Sequence, residues 1–179
     1  MTSSAPRAVV LNGSVGAGKT TIAYAIGDLL DAKGIPGAMI DLDALRSGWP
    51  APDGDRFNTR IMHRNLASVV ANYRGEGMST LVLPGVVETV AERTAYTESL
   101  GGIVPILVRL AAPAVTLQER VRRRAATEGE RAWHAARAVE LTAILDAADV
   151  DDHIVANDGG SPEDVAAEVL RVIGWTDAL

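Results

Sequence analysis

The sequence predicts a three-layer α/β fold: a mainly parallel, five-stranded sheet with helices on both faces. Three observations predict it. Short apolar runs alternate with longer amphipathic stretches along the whole chain. Most of the runs are apolar throughout rather than at every second position, as in strands covered on both faces. A glycine-rich turn, "GSVGAGKT", separates the first run from the first helical stretch.

Each element has its own justification. "RAVVLN" (7–12) is the first strand, and residues 19–33 the first helix, with Ile22, Ile26, Leu29 and Leu30 on one stripe and Gly34 and Pro36 as its stop. "GAMIDLD" (37–43) is the second strand. The Pro- and Gly-rich "SGWPAPDGDR" (47–56) is a loop with the composition of a mobile flap. Residues 57–74 put Met62, Leu66, Val69, Val70 and Tyr73 on one helical face. "STLVLPGV" (79–86) is the third strand, 89–100 a helix closed by Gly101 and Gly102, and "IVPILVRL" (103–110) the fourth strand. Helices follow at 113–124, opened by Pro113, and at 131–147. "DHIVAND" (152–158) is the fifth strand. The last helix has Ser161 as N-cap, Pro162 at its first position and Gly174 beyond its end.

Length and composition bound the function. At 179 residues, with neither an internal repeat nor a dividing linker, the chain reads as one domain spanning 1–179. It has no cysteine, which removes disulfides, thiolate metal sites and a cysteine nucleophile. A net charge of −6 argues against nucleic acid as a partner. The first apolar run is too short for a secretory leader, and none has the length of a membrane span, so a cytoplasmic location is expected. Only two lysines occur, Lys19 and Lys33, and Lys19 lies in the glycine-rich turn.

That turn fits G-x-x-x-x-G-K-[ST], with Gly13, Gly18, Lys19 and Thr20 in the fixed places. Glycines let successive backbone N–H groups surround a phosphate. The helix that follows adds unpaired N–H groups and a partial positive charge. The motif thus predicts a P-loop NTPase fold. Gly13, Ser14, Gly16, Ala17, Gly18, Lys19, Thr20 and Thr21 are the nucleotide-binding candidates, with Thr21 equally accounted for as a helix-packing residue. Lys19 suits the β- and γ-phosphates of ATP, and the Thr20 hydroxyl suits Mg²⁺. Guanine specificity is disfavoured, because no Asn-Lys-x-Asp motif occurs.

A second constellation, "IDLDALR", sets Asp41, Asp43 and Arg46 at the end of the second strand, where ligands of open α/β sheets bind. Asp43 suits the orientation or deprotonation of an attacking hydroxyl, and Arg46 suits a polar or anionic acceptor. Asp41 serves as well as a structural acid.

"GSVGAGKTT", "DLDALR" and the Asp-Arg pair of "GDRFNTRIMHR" resemble the small-molecule kinases of the P-loop class, adenylylsulfate kinases especially. The resemblance covers about the first 110 residues. It implies a five-stranded parallel sheet, ATP and Mg²⁺ as cofactors, and transfer of the γ-phosphoryl group to a hydroxyl of a small-molecule acceptor. By position, Asp43 and Arg46 would meet acceptor or metal-bound water, and Arg56 the acceptor. Two departures bear on that acceptor: Thr59 stands where the family has Asn, with Asn58 one place early, and "LPGVVET" replaces the family's third strand end.

Further arginines complete the set. Arg56, Arg60 and Arg64 recur every fourth residue, and the first two are acceptor-binding candidates. His63 reads as a surface residue. Arg120 and Arg124, one turn apart, are candidates for a helical lid over about 120–137 that would stabilise transition-state charge. Trp133, His134 and Arg137 fall on the lid's second arm or a substrate-facing helix, Trp133 reading as a packing residue. Glu88 follows the third strand and suits metal-bound water or the acceptor. Asn157 follows the fifth strand, where similar kinases pass the adenine. A different class also fits the motif: an ATP-binding regulator or switch without a small-molecule acceptor.

Overall fold

β1 (Arg7–Asn12) is the centre of the architecture. Ala8 to Leu11 are all buried, Ala8 and Val10 in one apolar cluster and Val9 and Leu11 in another. Successive side chains of a strand point to opposite faces, so an uninterrupted apolar run needs a covering layer on each side. The structure is a computed structural model that describes residues 5–124 and 127–179, the side chains of 124, 130 and 131 excepted.

The sheet has five strands in the order β2-β3-β1-β4-β5: β2 (Gly37–Met39), β3 (Thr80–Pro84), β4 (Ile106–Ala111) and β5 (His153–Ala156) join β1. Every pairing is parallel, from Arg7 opposite Thr80 to Ala111 opposite Ala156. On one face α1 (Lys19–Ala32) packs against α7 (Pro162–Val172), with Ile22, Ile26, Val169 and Leu170 in one cluster. On the other face α3 (Thr59–Gly75) and α4 (Val90–Ser99) supply Met62, Leu66 and Tyr96 to the second cluster. α5 (Ala114–Arg124) and α6 (Glu128–Ala148) follow β4.

The structure trims most of the expected strands. "GAMIDLD" keeps only Gly37–Met39, because Asp41 leaves the sheet to cap a short helix, α2 (Leu42–Leu45), its side chain accepting from Asp43 N. β4 starts at Ile106, just past Pro105, which has no N–H to give a ladder. A short 3-10 turn (Thr176–Ala178) ends the chain. Among the described residues no helix is long and apolar enough to cross a membrane.

Parallel pairing brings all strand carboxyl ends to one edge. The turn after β1, Asp41 after β2, Val86 to Glu88 after β3, α5 after β4 and Asn157 after β5 meet there.

Candidate active site

The glycine-rich turn leaves β1 through Asn12, which is fully buried. Asn12 Oδ1 accepts from Gly13 N at 2.9 Å and Val87 N at 3.1 Å; Nδ2 donates to Val87 O at 3.0 Å and Asp151 Oδ1 at 2.7 Å. The turn closes at Gly18, which caps α1 in the left-handed region at φ 89°. A Cβ there would meet Asn157 Nδ2 at 2.6 Å, so both conformation and space require glycine. Asn157 itself is buried and donates to Ala17 O at 2.8 Å. Lys19 Nζ donates to Gly13 O at 2.8 Å and Ser14 O at 3.1 Å, curling back over the turn it closes. The Ser14 hydroxyl donates to Ala138 O at 2.7 Å, tying the turn to α6.

Two clefts meet at this turn and share Gly16 and Gly18. The smaller, about 260 Å³, is bordered by Thr21, Arg120, Arg123, Asn157, Gly160 and Pro162. Arg120 Nη1 donates to Gly16 O at 3.4 Å. Arg124 ends α5, and its side chain lies outside the described residues. The larger cavity, about 440 Å³, runs from Lys19 and Thr20 past Asp43 and Arg46 to α3, α4 and α6.

The two acids of "DLD" divide their work. Asp41 Oδ1 accepts from Asp43 N at 2.9 Å, while Oδ2 accepts from the Thr20 hydroxyl at 3.4 Å. Asp41 is therefore both a cap and the acid beside Thr20. A hydroxyl and a carboxylate side by side at a helix N-terminus are hard oxygen donors, the set that suits Mg²⁺ when phosphate oxygens and water complete its shell. Asp43 points the other way, into the larger cavity, with its side chain 75% exposed and 3.6 Å from Arg46 Nε.

Several expected positions lie elsewhere. Neither Arg56 nor Arg60 borders the larger cavity. Asp55 accepts from Thr59 N at 2.7 Å and Arg60 N at 3.0 Å at the start of α3, and draws the Arg60 guanidinium to 3.4 Å. Those same N–H groups, Arg60's first, hold the Asp55 carboxyl below its ordinary range. Arg56 lies over the Phe57 ring at 5.3 Å. His63, read as a surface residue, is half-buried in the cavity wall: its Nδ1 lies 2.9 Å from Ser99 Oγ and its ring stands edge-on to Tyr96 at 4.9 Å. Burial, and after it the Arg46 guanidinium, lower the His63 pKa. Burial pushes the Tyr96 phenol up, and its hydroxyl reaches Val86 O at 3.3 Å.

The remaining wall comes from α6 and the segment after β3. Arg137 pairs with Glu88 and, at 3.0 Å, with Glu140, and its guanidinium sits 5.2 Å over Phe57. Glu92 Oε2 accepts from Glu88 N at 2.6 Å, which fixes the start of α4 beneath that pair. Trp133, read as packing, borders the cavity edge-on to His134 at 4.8 Å. Phe57, Tyr96 and Glu92 are wall residues that the motifs do not single out. Phe57 directly follows the Asp-Arg pair, whereas nothing in the sequence marks Tyr96 or Glu92.

A parallel sheet of this order, with its phosphate turn after the central strand, is the P-loop kinase-like fold. The chain belongs to the adenylylsulphate kinase family, whose sequence profile matches residues 5–124. Solved structures share the fold: a sugar kinase of Janibacter sp. HTCC2649 (24% identity, 97% of each chain, TM-score 0.63) and the tunicamycin resistance protein of Deinococcus radiodurans (19% identity, 96% of each chain, TM-score 0.62). The adenylylsulfate (APS) kinase of Mycobacterium tuberculosis, in complex with AMPPNP and APS, is similar at 22% identity over 94% of this chain and 99% of its own, with a TM-score of 0.54. No curated protein sequence matches the chain.

Proposed function

We propose that the chain is an ATP-dependent kinase that moves the γ-phosphoryl group of ATP to a hydroxyl of a small-molecule acceptor. One observation carries this reading: the phosphate turn is a shared wall of two clefts, so a triphosphate entering from one ends at the mouth of the other. The 260 Å³ cleft, with Asn157 and Arg120, takes the nucleoside, and the 440 Å³ cavity, with Asp43, takes the acceptor.

The turn amides from Gly13 to Thr20 hold the phosphates, and Lys19 exchanges its carbonyl partners for phosphate oxygens. Thr20 and Asp41 would hold Mg²⁺, which would neutralise charge on the phosphates. Asp43 orients the acceptor hydroxyl and takes its proton, and Arg46 steadies the acceptor beside it. Arg120 and Arg124, on the first arm of a lid over 120–137, offset charge that develops on the moving phosphoryl group. The whole chain works as one catalytic domain. A switch protein would bind ATP but has no use for an acid-bearing cavity at the phosphate end, and that cavity favours the kinase.

The test is ADP release with and without an acceptor panel of sulfate nucleotides, sugars, nucleosides and other hydroxyl compounds. Acceptor-dependent release is expected, and release indifferent to every acceptor would favour the switch. Lys19→Ala should lower turnover by about 10²–10³-fold with an unchanged circular dichroism spectrum. Full activity in that variant would overturn the assignment. Asp43→Asn should lower kcat by a similar factor while ATP affinity holds, because Asp43 faces the acceptor cavity alone. Equal losses in both would remove its role toward the acceptor.

A further inference from the structure

α2 is too short to hold itself. It has four residues, Leu42–Leu45, and a lone helical turn fixes several dihedrals for one hydrogen bond. Yet it carries Asp43 and ends on Arg46, and both border the larger cavity. Arg46 Nε is buried with no hydrogen-bond partner among the described residues, 3.6 Å from Asp43 Oδ1. At the near end, Leu42 is fully buried and the Asp41 side chain caps the turn. The far end is held from another element.

Two asparagines reach it. Asn58 Nδ2 donates to Arg46 O at 2.9 Å and to Gly48 O at 2.8 Å. Asn65 Nδ2, further along α3, donates to Leu45 O at 2.8 Å. Carbonyls at a helix C-terminus lack partners within the helix, and these side chains supply them. Position 58 bears the marks of this use. It stands just before α3, where an asparagine ordinarily takes extended backbone and caps the helix. Here its φ is 52°, in the left-handed region, and its side chain makes no cap bond. Asp55 does the capping instead, accepting from Thr59 N and Arg60 N. Asn58 is buried, so its carboxamide is committed to the main chain of 46–48. Neither asparagine borders the cavity.

Resting on the kinase reading above, we propose that Asn58 and Asn65 are positioning residues. They clamp the C-terminal end of α2 to α3 and so aim Asp43 and Arg46 at the acceptor. Misplacing reacting groups by about 1 Å can cost on the order of 10²-fold in rate, so the clamp acts on turnover.

Two substitutions remove the donors while suiting the local backbone. Glycine is favoured at the left-handed φ of position 58, and alanine inside the helix at position 65. Asn58→Gly and Asn65→Ala in the full chain should therefore keep the circular dichroism spectrum and a melting temperature near the wild type's. Turnover is read as ADP release with whichever compound of the panel above drives it fastest. Each variant should lower kcat at least about tenfold, while calorimetry returns the wild-type Kd for a non-hydrolysable ATP analogue. A merely structural role would lower the melting temperature and spare kcat in the folded chain. His63 gives a reading that needs no acceptor. Arg46 contributes to its lowered pKa, whereas its other charged neighbours, Glu92 and Glu98, lie on α4. An NMR titration of the ring should show that pKa rising toward 6.5 in both variants as Arg46 loses its place. Wild-type kcat, an unmoved His63 titration, or nucleotide affinity falling in step with kcat overturns the proposal. If no panel compound drives ADP release from the wild type, the kinase reading fails, and the His63 titration decides whether the asparagines hold α2.

Discussion

His63 shows how one residue's surroundings become a measurable property. Its neutral form is favoured in the fold, first by burial and then by the Arg46 guanidinium. The unfolded chain, with the ordinary value of 6.5, therefore takes up the proton first as pH falls. The stability this provides is complete above pH 6.5 and is lost as pH drops from there toward the lower folded value. Urea melts at about pH 7.5 and about pH 5.5 should show a larger loss in the wild type than in His63→Gln; equal losses would mean that another group sets the slope. Periodicity placed His63 on α3 correctly but could not say which neighbour would cover it, since Ser99 and Tyr96 come from a helix some thirty residues further on. The same limit applies to Arg60. Its fourfold spacing from Arg56 was legible, but its capture by the capping acid Asp55 depends on the local course of the chain into α3. Lys19 and Gly18 were legible, because the phosphate turn needs contiguous residues and sequence records contiguity directly.

At the scale of elements, α7 is the clearest case of a helix written with its own punctuation. Ser161 accepts from Asp164 N at 3.1 Å, Pro162 opens the helix and Gly174 follows it at φ 74°. Ser161→Ala should cost about 1 kcal/mol, read as a lower urea midpoint. Nucleotide affinity should fall far less than stability, because Gly160 and Pro162 border the smaller cleft but Ser161 itself does not, and the buried α1–α7 seam stays intact. A large loss of affinity would show that the cap itself positions Gly160 and Pro162 for the nucleotide. Helices were legible to within a few residues wherever such caps exist. β2 was not, because the apolar run "GAMI" flows into "DLD" with no break, and only the Asp41 side chain reaching Asp43 N turns the chain into α2. An acid at a strand end and an acid at a helix cap read alike until the backbone is known.

For the whole molecule, the smaller cleft joins segments as far apart as Gly16 and Pro162, so a ligand there finds its site only in the folded chain. Mg-ATP at about a hundred times its Kd should therefore raise unfolding free energy by about 2.7 kcal/mol, and Lys19→Ala should abolish that gain in a thermal melt. A shift of equal size in the variant would place the nucleotide somewhere other than the glycine turn. The layered plan was legible from strands that are apolar on both faces. The strand order was not: nothing in the runs themselves says that β1 sits between β3 and β4. The larger cavity was half legible for the same reason. Asp43 and Arg46 belong to one short motif, whereas Phe57, Glu92 and Trp133 are gathered from three separate segments.

Asn12 closes this picture, because its carboxamide has nothing left to give. Both ends are doubly engaged, with the turn, with Val87 and with Asp151. The start of the glycine-rich turn and the wall that leads to Glu88 are thus riveted to a single plate, which in turn bears on the strip ahead of β5. If the proposed kinase holds its acceptor in the larger cavity, its selectivity would be changed by recutting the outer walls at Phe57, Trp133 or Glu88. An aspartate at position 12, nearly identical in outline, would set acceptor against acceptor at Val87 and at Asp151 and loosen both ends of the bench at once.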